Sequence, residues 1–132
     1  MHIVICLDDK NGMMFNCRRL SSDRAVCARI VNSANGRLWM NAYSAKLFAD
    51  YEVNIEEAFL RKASAGDTCF AETPDFVNCA ESIESLTVYR WNRAYPSDTK
   101  LPADFLAGWQ LAQTEDFAGY SHETITRELY TR

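Results

Sequence analysis

Short apolar runs separated by turn-forming residues predict a series of β-strands. The run Ile3–Leu7 is continuously apolar, which is typical of a strand buried on both faces. Residues 8–12 follow it and predict a turn, since they combine Asp, Asn and Gly. Trp109–Ala112 and Thr124–Tyr130, near the end of the chain, predict an antiparallel hairpin. Three further runs have the character of short buried strands: Arg37–Met40, Thr68–Ala71 and Leu86–Trp91.

Between the first two strands, apolar residues recur at the spacing of a helix. Ser21–Asp23 opens this segment, because a serine can cap the free amide groups and an Asp in the first turn favours the helix dipole. Asn35–Gly36 closes it. The predicted buried face consists of Val26, Cys27, Ile30, Val31 and Ala34.

Three shorter helices are predicted further along the chain. Tyr43–Phe48 is a brief helix, and residues 13–20 before the first helix are expected to be a loop. Asn54 and Glu57 resemble a capping box and predict a helix that ends at Gly66. Thr73–Pro74 predicts another helix start, with a capping residue followed by proline.

Strands that alternate with helices and then follow one another predict an α/β fold with a mixed sheet. The length of 132 residues favours a single domain spanning residues 1–132. No apolar run approaches the roughly 20 residues that cross a membrane, and Met1–Leu7 lacks a basic leader and a cleavage region. We therefore expect no membrane association.

Charge and cysteine content narrow the expected partners and compartment. The net charge of −4 argues against nucleic acid as a partner. The five cysteines are odd in number and contain no Cys-x-x-Cys pair, so they predict neither a disulfide framework nor a zinc ribbon. A reducing cytoplasm follows as the expected location.

Several segments, in order along the chain, resemble dihydrofolate reductase. Residues 98–102 read Asp-Thr-Lys-Leu-Pro and precede Trp109, similar to the Asp-Thr-x-Phe-Pro…Trp pattern of that family. Residues 20–25 resemble its Leu-Pro-x-Asp-Leu segment, and residues 38–44 its Val-Ile-Met-Gly-Arg-x-Thr segment. The first strand with its Gly-containing loop, the strand Leu86–Trp91 and the final strand also match in placement. The resemblance implies a three-layer α/β fold with a mixed central sheet and C-terminal antiparallel strands.

Three departures from the family concern the site of NADPH. The family's Gly-Gly pair, where bare backbone meets the pyrophosphate, is replaced by Ala71 and Glu72. The family's Gly-Arg is replaced by Asn41–Ala42, and the segment 48–67 is shorter than its counterpart, which holds the adenosine half of NADPH and an Arg for the folate carboxylate. The resemblance therefore implies a trimmed member that binds no NADP cofactor.

The resemblance also implies candidate site residues. Asp23 matches the active-site carboxylate that bonds the pterin ring; a helix-start Asp that only satisfies the helix dipole and binds no ligand is the equally weighted alternative. Ser44 matches the hydroxyl beside the nicotinamide, and Tyr89 replaces a strand Thr near the carboxylate, although a helix-start serine and a core aromatic explain them too. Arg18 and Arg19 lie in the loop that covers the family's cleft, where they could meet an anion.

No metal site is predicted. His2 and His122 are the only histidines, and neither belongs to a ligand motif. A ribonuclease Z activity is therefore not expected, because its dinuclear zinc needs several His and Asp ligands.

Three functional hypotheses remain open on the sequence. The first is a degenerate reductase-fold protein that binds a small heteroaromatic, pterin- or nucleotide-like ligand near Asp23. The second is an active reductase with an atypical cofactor pose, and the third is a non-catalytic scaffold for a protein partner. Hydride transfer requires the nicotinamide to be held against the substrate, so the missing cofactor contacts favour the first over the second.

Overall fold

Ten strands form two sheets in the computed structural model, which describes residues 1–132. A seven-stranded sheet has the order β5-β4-β6-β1-β7-β10-β9, and a three-stranded sheet has the order β3-β2-β8. The strands in chain order are β1 His2–Leu7, β2 Gly12–Phe15, β3 Arg18–Arg19, β4 Leu38–Met40, β5 Asn54–Ile55, β6 Thr68–Phe70, β7 Ser85–Arg90, β8 Thr99–Lys100, β9 Gln110–Phe117 and β10 Ile125–Thr131.

Strand β1 lies near the centre of the large sheet, as its continuous apolar run predicts. It pairs in parallel with β6 and β7, so that Ile3 lies beside both Cys69 and Leu86. Strand β10 runs antiparallel to β7 and β9, which confirms the predicted mixed sheet and the C-terminal hairpin. Strand β9 is longer than the sequence suggested, β10 is shifted by one residue, and a bulge lies at Leu129 and Tyr130.

Helical segments cover both faces of the sheet and give three layers. The α-helices are α1 Arg24–Ser33, α2 Ala42–Ala45 and α3 Phe59–Lys62, and the 3-10 helices are Lys46–Phe48, Pro74–Ser82 and Leu106–Gly108. Alternate β1 residues supply two separate cores, since Ile3 packs with Phe59 and Phe76 while Val4 packs with Val26 and Ile30. The predicted α/β fold is confirmed.

The predicted loop between β1 and α1 is wrong in part, because it contains the hairpin β2–β3. Asn16 and Cys17 form its two-residue turn with φ of 52° and 60°, the left-handed geometry of a type I′ hairpin. The backbone amide of Asn16 donates to Asp98 Oδ2 at 2.9 Å, and β2 also pairs with β8. Such long-range pairing has no local signal in the sequence.

The helix predicted from Asn54 and Glu57 is also wrong in part, since only its middle is helical. Asn54–Ile55 instead pairs in parallel with Trp39 and Met40 at the edge of the sheet, and helix α3 begins only at Phe59. Strand pairing satisfies the free edge of β4, whereas an isolated cap would leave that edge open. The Glu57 carboxylate accepts a hydrogen bond from the amide of Ala42 at 2.9 Å.

No helix has the length and apolar character needed to cross a membrane.

Candidate functional site

A cleft lies between helix α1 and the carboxyl ends of β1, β6 and β7, where open α/β sheets commonly bind ligands. Its inner part, the inner cleft, is mostly apolar. The cavity there that is open to water molecules measures only about 20 Å³. That space accepts one or two water molecules. The residues that line it include Leu20, Ser21, Val26, Ile30, Phe70, Glu72 and Trp91.

The mouth of this cleft, the outer cleft, is wider and carries two exposed aromatic rings. It is lined by Arg24, Asp50, Tyr51 and Tyr120. Its volume open to water molecules is about 510 Å³. Tyr120 is 71% exposed and Tyr51 is 40% exposed. The Arg24 guanidinium lies 5.1 Å from the centre of the Tyr120 ring, within the range of a cation–π contact. A planar ligand could therefore stack at the mouth.

Asp23 caps helix α1, and its carboxylate is fully occupied by the chain's own donors. Oδ1 accepts from the amides of Ala25 at 2.8 Å and Tyr120 at 2.9 Å. Oδ2 accepts from the Ser121 amide at 2.9 Å and hydroxyl at 3.2 Å, and contacts His122 Nδ1 at 2.8 Å. The first helical residue is Arg24, so Asp23 itself is the cap and the predicted serine cap is wrong.

The hydrogen bonds to Asp23 favour its charged form. Burial alone would raise the pKa of this carboxyl, but the bonds from Tyr120, His122, Ser121 and Ala25 outweigh burial and hold its pKa far below the ordinary value. Asp23 is therefore an anion that only accepts hydrogen bonds. A pterin or aminopyrimidine could bond it only after the segment 119–122 moved away.

His122, which belongs to no ligand motif in the sequence, is a functional candidate in the structure. Its side chain is only 8% exposed, and its ring stacks on Trp91 with 4.7 Å between centroids and 24° between planes. Nε2 lies 2.8 Å from Ser21 Oγ, on the side of the ring opposite Asp23. His122 lies about a hundred residues after its two partners, so no sequence spacing could reveal the contact.

Gly119 allows the chain to close over Asp23. A Cβ atom at this position would lie 2.7 Å from His122 O, 2.8 Å from Asp23 Oδ2 and 2.8 Å from Ile125 Cδ1. Two of these three neighbours are backbone or the buried carboxylate itself, so they have little room to move. A glycine between the last two strands is the one feature in the sequence that marks this approach.

Arg19 and Glu72 close the other side of the inner cleft. Arg19 Nε and Nη2 donate to the two Glu72 oxygens at 2.8 and 2.9 Å, a bidentate ion pair with 20% and 8% of the side chains exposed. Ser44 Oγ donates to Glu72 Oε1 at 2.7 Å, and Arg19 lies over the Tyr43 ring at 4.1 Å. The predicted site residues Arg19 and Ser44 are thus brought together, because both donate hydrogen bonds to the Glu72 carboxylate.

The remaining predicted residues lie elsewhere. Arg18 is exposed on β3, where it pairs with Phe15, and its side chain makes no hydrogen bond or ion pair within the chain. Tyr89 is 1% exposed and packs edge-on against Phe117 with 6.1 Å between ring centroids, and burial raises its pKa. Tyr89 is therefore a core residue in this structure.

Two amide donors in the first turn of α2, those of Ala42 and Ser44, are satisfied by side chains of the protein. The Ser44 amide donates to Asn41 Oδ1 at 2.9 Å, and the Ala42 amide donates to Glu57 Oε2. With the Ser44 hydroxyl on Glu72, three donors near the carboxyl ends of β4 and β6 point at side chains of the protein. No cluster of three or more His, Cys, Asp or Glu residues is arranged to hold a metal ion.

The fold matches that of a known enzyme. A solved structure of dihydrofolate reductase from Enterococcus faecalis, complexed with NADP(H) and RAB-propyl, has a TM-score of 0.72 to this chain at 12% sequence identity. The match covers 99% of this chain and 95% of that chain. No protein-family model matches the sequence, and no curated protein is detectably similar to it. The chain has a dihydrofolate reductase-like fold, as its sequence motifs predicted.

Proposed function

We propose that this protein uses a dihydrofolate reductase-like fold to bind a small heteroaromatic ligand without NADPH-dependent reduction. The observation that carries the proposal is that Glu57 and Glu72 occupy donors at the start of α2, the edge that the resemblance implies would face a nucleotide. The five cysteines are free, which is consistent with a reducing, cytoplasmic location.

The residues at this edge do not fit a pyrophosphate. Backbone amides at a helix start attract anions only while they are free, and the Ala42 and Ser44 amides already donate to side chains. Glu72 adds a negative charge where the family's glycine pair would let phosphate approach. The charged Glu72 carboxylate accepts three hydrogen bonds, two from Arg19 and one from Ser44. A phosphate would need to displace this side chain.

Hydride transfer depends on holding the nicotinamide at near-contact distance from the substrate. A protein that repels the pyrophosphate loses the interaction energy that positions the ring. Reduction is therefore a weaker candidate than ligand binding.

The outer cleft supports binding of a planar ligand near Asp23. Tyr51 and Tyr120 offer exposed rings for stacking, and Arg24 and Asp50 offer polar contacts at the rim. The inner cleft is too small for a heterocycle in this conformation, so the ligand is expected to stack at the mouth. A direct bond to the Asp23 carboxylate would follow only from opening of the segment 119–122.

Melting temperature, measured against ligand concentration, tests the proposal. A ligand that binds only the folded state raises apparent stability by roughly 2.7 kcal/mol at a hundred times its Kd. We expect a rise with a diaminopyrimidine antifolate and none with millimolar NADPH. Tyr120→Ala should reduce the antifolate response, whereas Phe15→Ala, which removes an aromatic ring 49% exposed on β2, should not.

Each other outcome selects a different function. A rise with both compounds would contradict the proposal and favour an active reductase. No rise with either would contradict ligand binding and favour the scaffold hypothesis.

A further inference from the structure

Three side chains beside the inner cleft form a hydrogen-bonded series that ligand binding does not require. Ser21 Oγ lies 2.8 Å from His122 Nε2, and His122 Nδ1 lies 2.8 Å from Asp23 Oδ2. A hydroxyl, an imidazole and a buried carboxylate in this order are the parts of an activated nucleophile.

The protonation of the imidazole follows from its two partners. Asp23 is ionised and only accepts, so Nδ1 must carry the hydrogen that lies between them. In the neutral ring Nε2 is then an acceptor, and the Ser21 hydroxyl donates to it. His122 is therefore oriented to take the Ser21 proton, as a general base must be.

We propose that Ser21, His122 and Asp23 form an acyl-transfer site that hydrolyses esters of small carboxylic acids. Ser21 is the nucleophile, His122 is the general base and acid, and Asp23 holds the imidazole tautomer. This inference goes beyond the proposed ligand binding and does not depend on it.

Packing fixes the imidazole in this geometry. Trp91 is 5% exposed and stacks on the His122 ring, and the Asp23 side chain is completely buried. The amides of Tyr120 and Ser121, which precede His122, bond the same carboxylate. The arrangement is therefore built before any substrate arrives, which is what catalysis by a positioned base requires.

Serine is the activated nucleophile of this cleft, although two cysteines also line it. Burial, with the nearby Glu72 charge, raises the pKa of Cys27 to about 11, and burial raises that of Cys6 well above its ordinary value. Both thiols are protonated near neutral pH, and a protonated thiol is a poor nucleophile. Ser21 alone among these groups contacts an imidazole.

The first turn of α1 offers free donors for the negative charge that develops on a carbonyl oxygen. The amides of Arg24 and Val26 have no acceptor within the protein, whereas the amide of Ala25 between them donates to Asp23. Val26 lines the inner cleft and Arg24 lines the outer cleft. Backbone amides at a helix start are suitable oxyanion donors.

The two parts of the cleft define the class of substrate. The inner cleft is apolar and admits only a few atoms, so it suits a short acyl group such as acetyl. The outer cleft is open and bears Tyr51 and Tyr120, so it suits an aromatic alcohol as leaving group.

The reaction balances with water as the only co-reactant. Ser21 Oγ bonds the acyl carbon and gives its proton to His122 Nε2, and the bond to the leaving oxygen breaks as that oxygen takes the proton. Water then attacks the acyl-serine ester and passes a proton to Nε2, which returns it to Ser21 Oγ. Ester and water yield acid and alcohol.

Covalent labelling of the full chain with a small alkyl fluorophosphonate tests the site. Attack by Ser21 would displace fluoride and leave one phosphonyl adduct, which peptide mass mapping can place. Hydrolysis of p-nitrophenyl acetate is measured in parallel. We expect one adduct on Ser21, no adduct in Ser21→Ala, and hydrolysis slower by at least about a hundred-fold in Ser21→Ala and His122→Gln.

Ser22→Ala is the matched control, because its exposed hydroxyl makes no hydrogen bond within the chain. It should label and hydrolyse like the parent. An unlabelled parent, an adduct on another residue, or unchanged hydrolysis in Ser21→Ala would overturn the proposal. Mapping on the parent decides the question even if a variant fails to fold, and neither outcome depends on the antifolate titration.

Discussion

At the scale of single residues, buried carboxylates determine how the cleft is organised. Asp23 loses solvation on burial but gains donors from α1 and from the segment 119–122. Asp67 has a similar role at the start of β6. Its carboxylate accepts hydrogen bonds from the Arg37 amide, the Ser64 amide and the Trp39 indole, each at 3.0 Å. Each carboxylate ties together segments that are distant in sequence.

These carboxylates predict a loss of stability in acid. The bonds from the Arg37 and Ser64 amides and the Trp39 indole lower the pKa of Asp67 to about 2, and that of Asp23 is also depressed. As the pH falls, these carboxyl groups therefore bind protons in the unfolded chain before they do so in the folded chain, since the pKa of an unfolded Asp is about 3.9. The stabilisation is fully present above about pH 4 and is lost as the pH falls from there towards 2.

Urea unfolding measured across this pH range checks the expectation. The free energy of unfolding should fall less steeply with acid in Asp67→Asn than in the parent. Asp104→Asn is the control, because its exposed carboxylate makes no hydrogen bond within the chain. An equally steep fall in Asp67→Asn would contradict the assigned role of Asp67.

The sequence could predict which residues lie near the cleft better than it could predict which partners they contact. The motif match selected Asp23, Arg19 and Ser44, and all three border the cleft or its closing network. Their partners Glu72 and His122 were assigned other roles, because the contacts form only once β6 and β10 join the sheet. Tertiary pairing, which no local pattern encodes, decides what each side chain bonds.

At the scale of elements, two connections are fixed by side-chain contacts on either side of the inner cleft. The hairpin β2–β3 is fixed to the end of β6 by Arg19 and Glu72, and the β9–β10 connection is fixed to the start of α1 by Asp23. Both connections cross from one segment to another more than fifty residues away.

A double-mutant cycle measures how strongly the hairpin is fixed. Arg19→Gln and Glu72→Gln, singly and together, should give a coupling energy of about 1–3 kcal/mol, because the pair is bidentate and mostly buried. Arg29 and Glu115 form an exposed bidentate pair that water and salt screen, so the same cycle there should give a clearly smaller coupling energy. Equal coupling in the two pairs would contradict the account.

Gly119→Ala tests the second connection. Its Cβ atom would overlap the Asp23 carboxylate and the backbone of His122, so unfolding free energy should fall by about 1–3 kcal/mol. Amides of residues 119–122 should exchange hydrogen faster. Gly108→Ala is the control, because a Cβ there meets no atom within 4 Å. A Gly119→Ala variant as stable as Gly108→Ala would show that the close approach is absent in solution.

Elements with strong local signals could be predicted, and those formed by long-range pairing could not. The apolar run of β1 and the periodic face of α1 appear where expected. The hairpin β2–β3 and the edge strand β5 were missed, because four and two residues carry no reliable periodicity.

At the scale of the whole molecule, the chain has a dihydrofolate reductase-like fold, and its own side chains occupy donors at the start of α2 and at the end of β6. The sheet still brings the carboxyl ends of β1, β6 and β7 to one cleft. Near these ends, Glu72 bonds Arg19 and Ser44, and the amides of Ala42 and Ser44 donate to side chains of the protein. The fold is thus compatible with a function other than reduction.

The measurement that tests this account most directly is NADPH oxidation in the presence of dihydrofolate, followed by loss of NADPH absorbance at high protein concentration. The account predicts a rate no faster than the reaction without protein, at any NADPH concentration up to millimolar. A protein-dependent rate that saturates with NADPH would contradict it, because saturation requires a site that holds the cofactor.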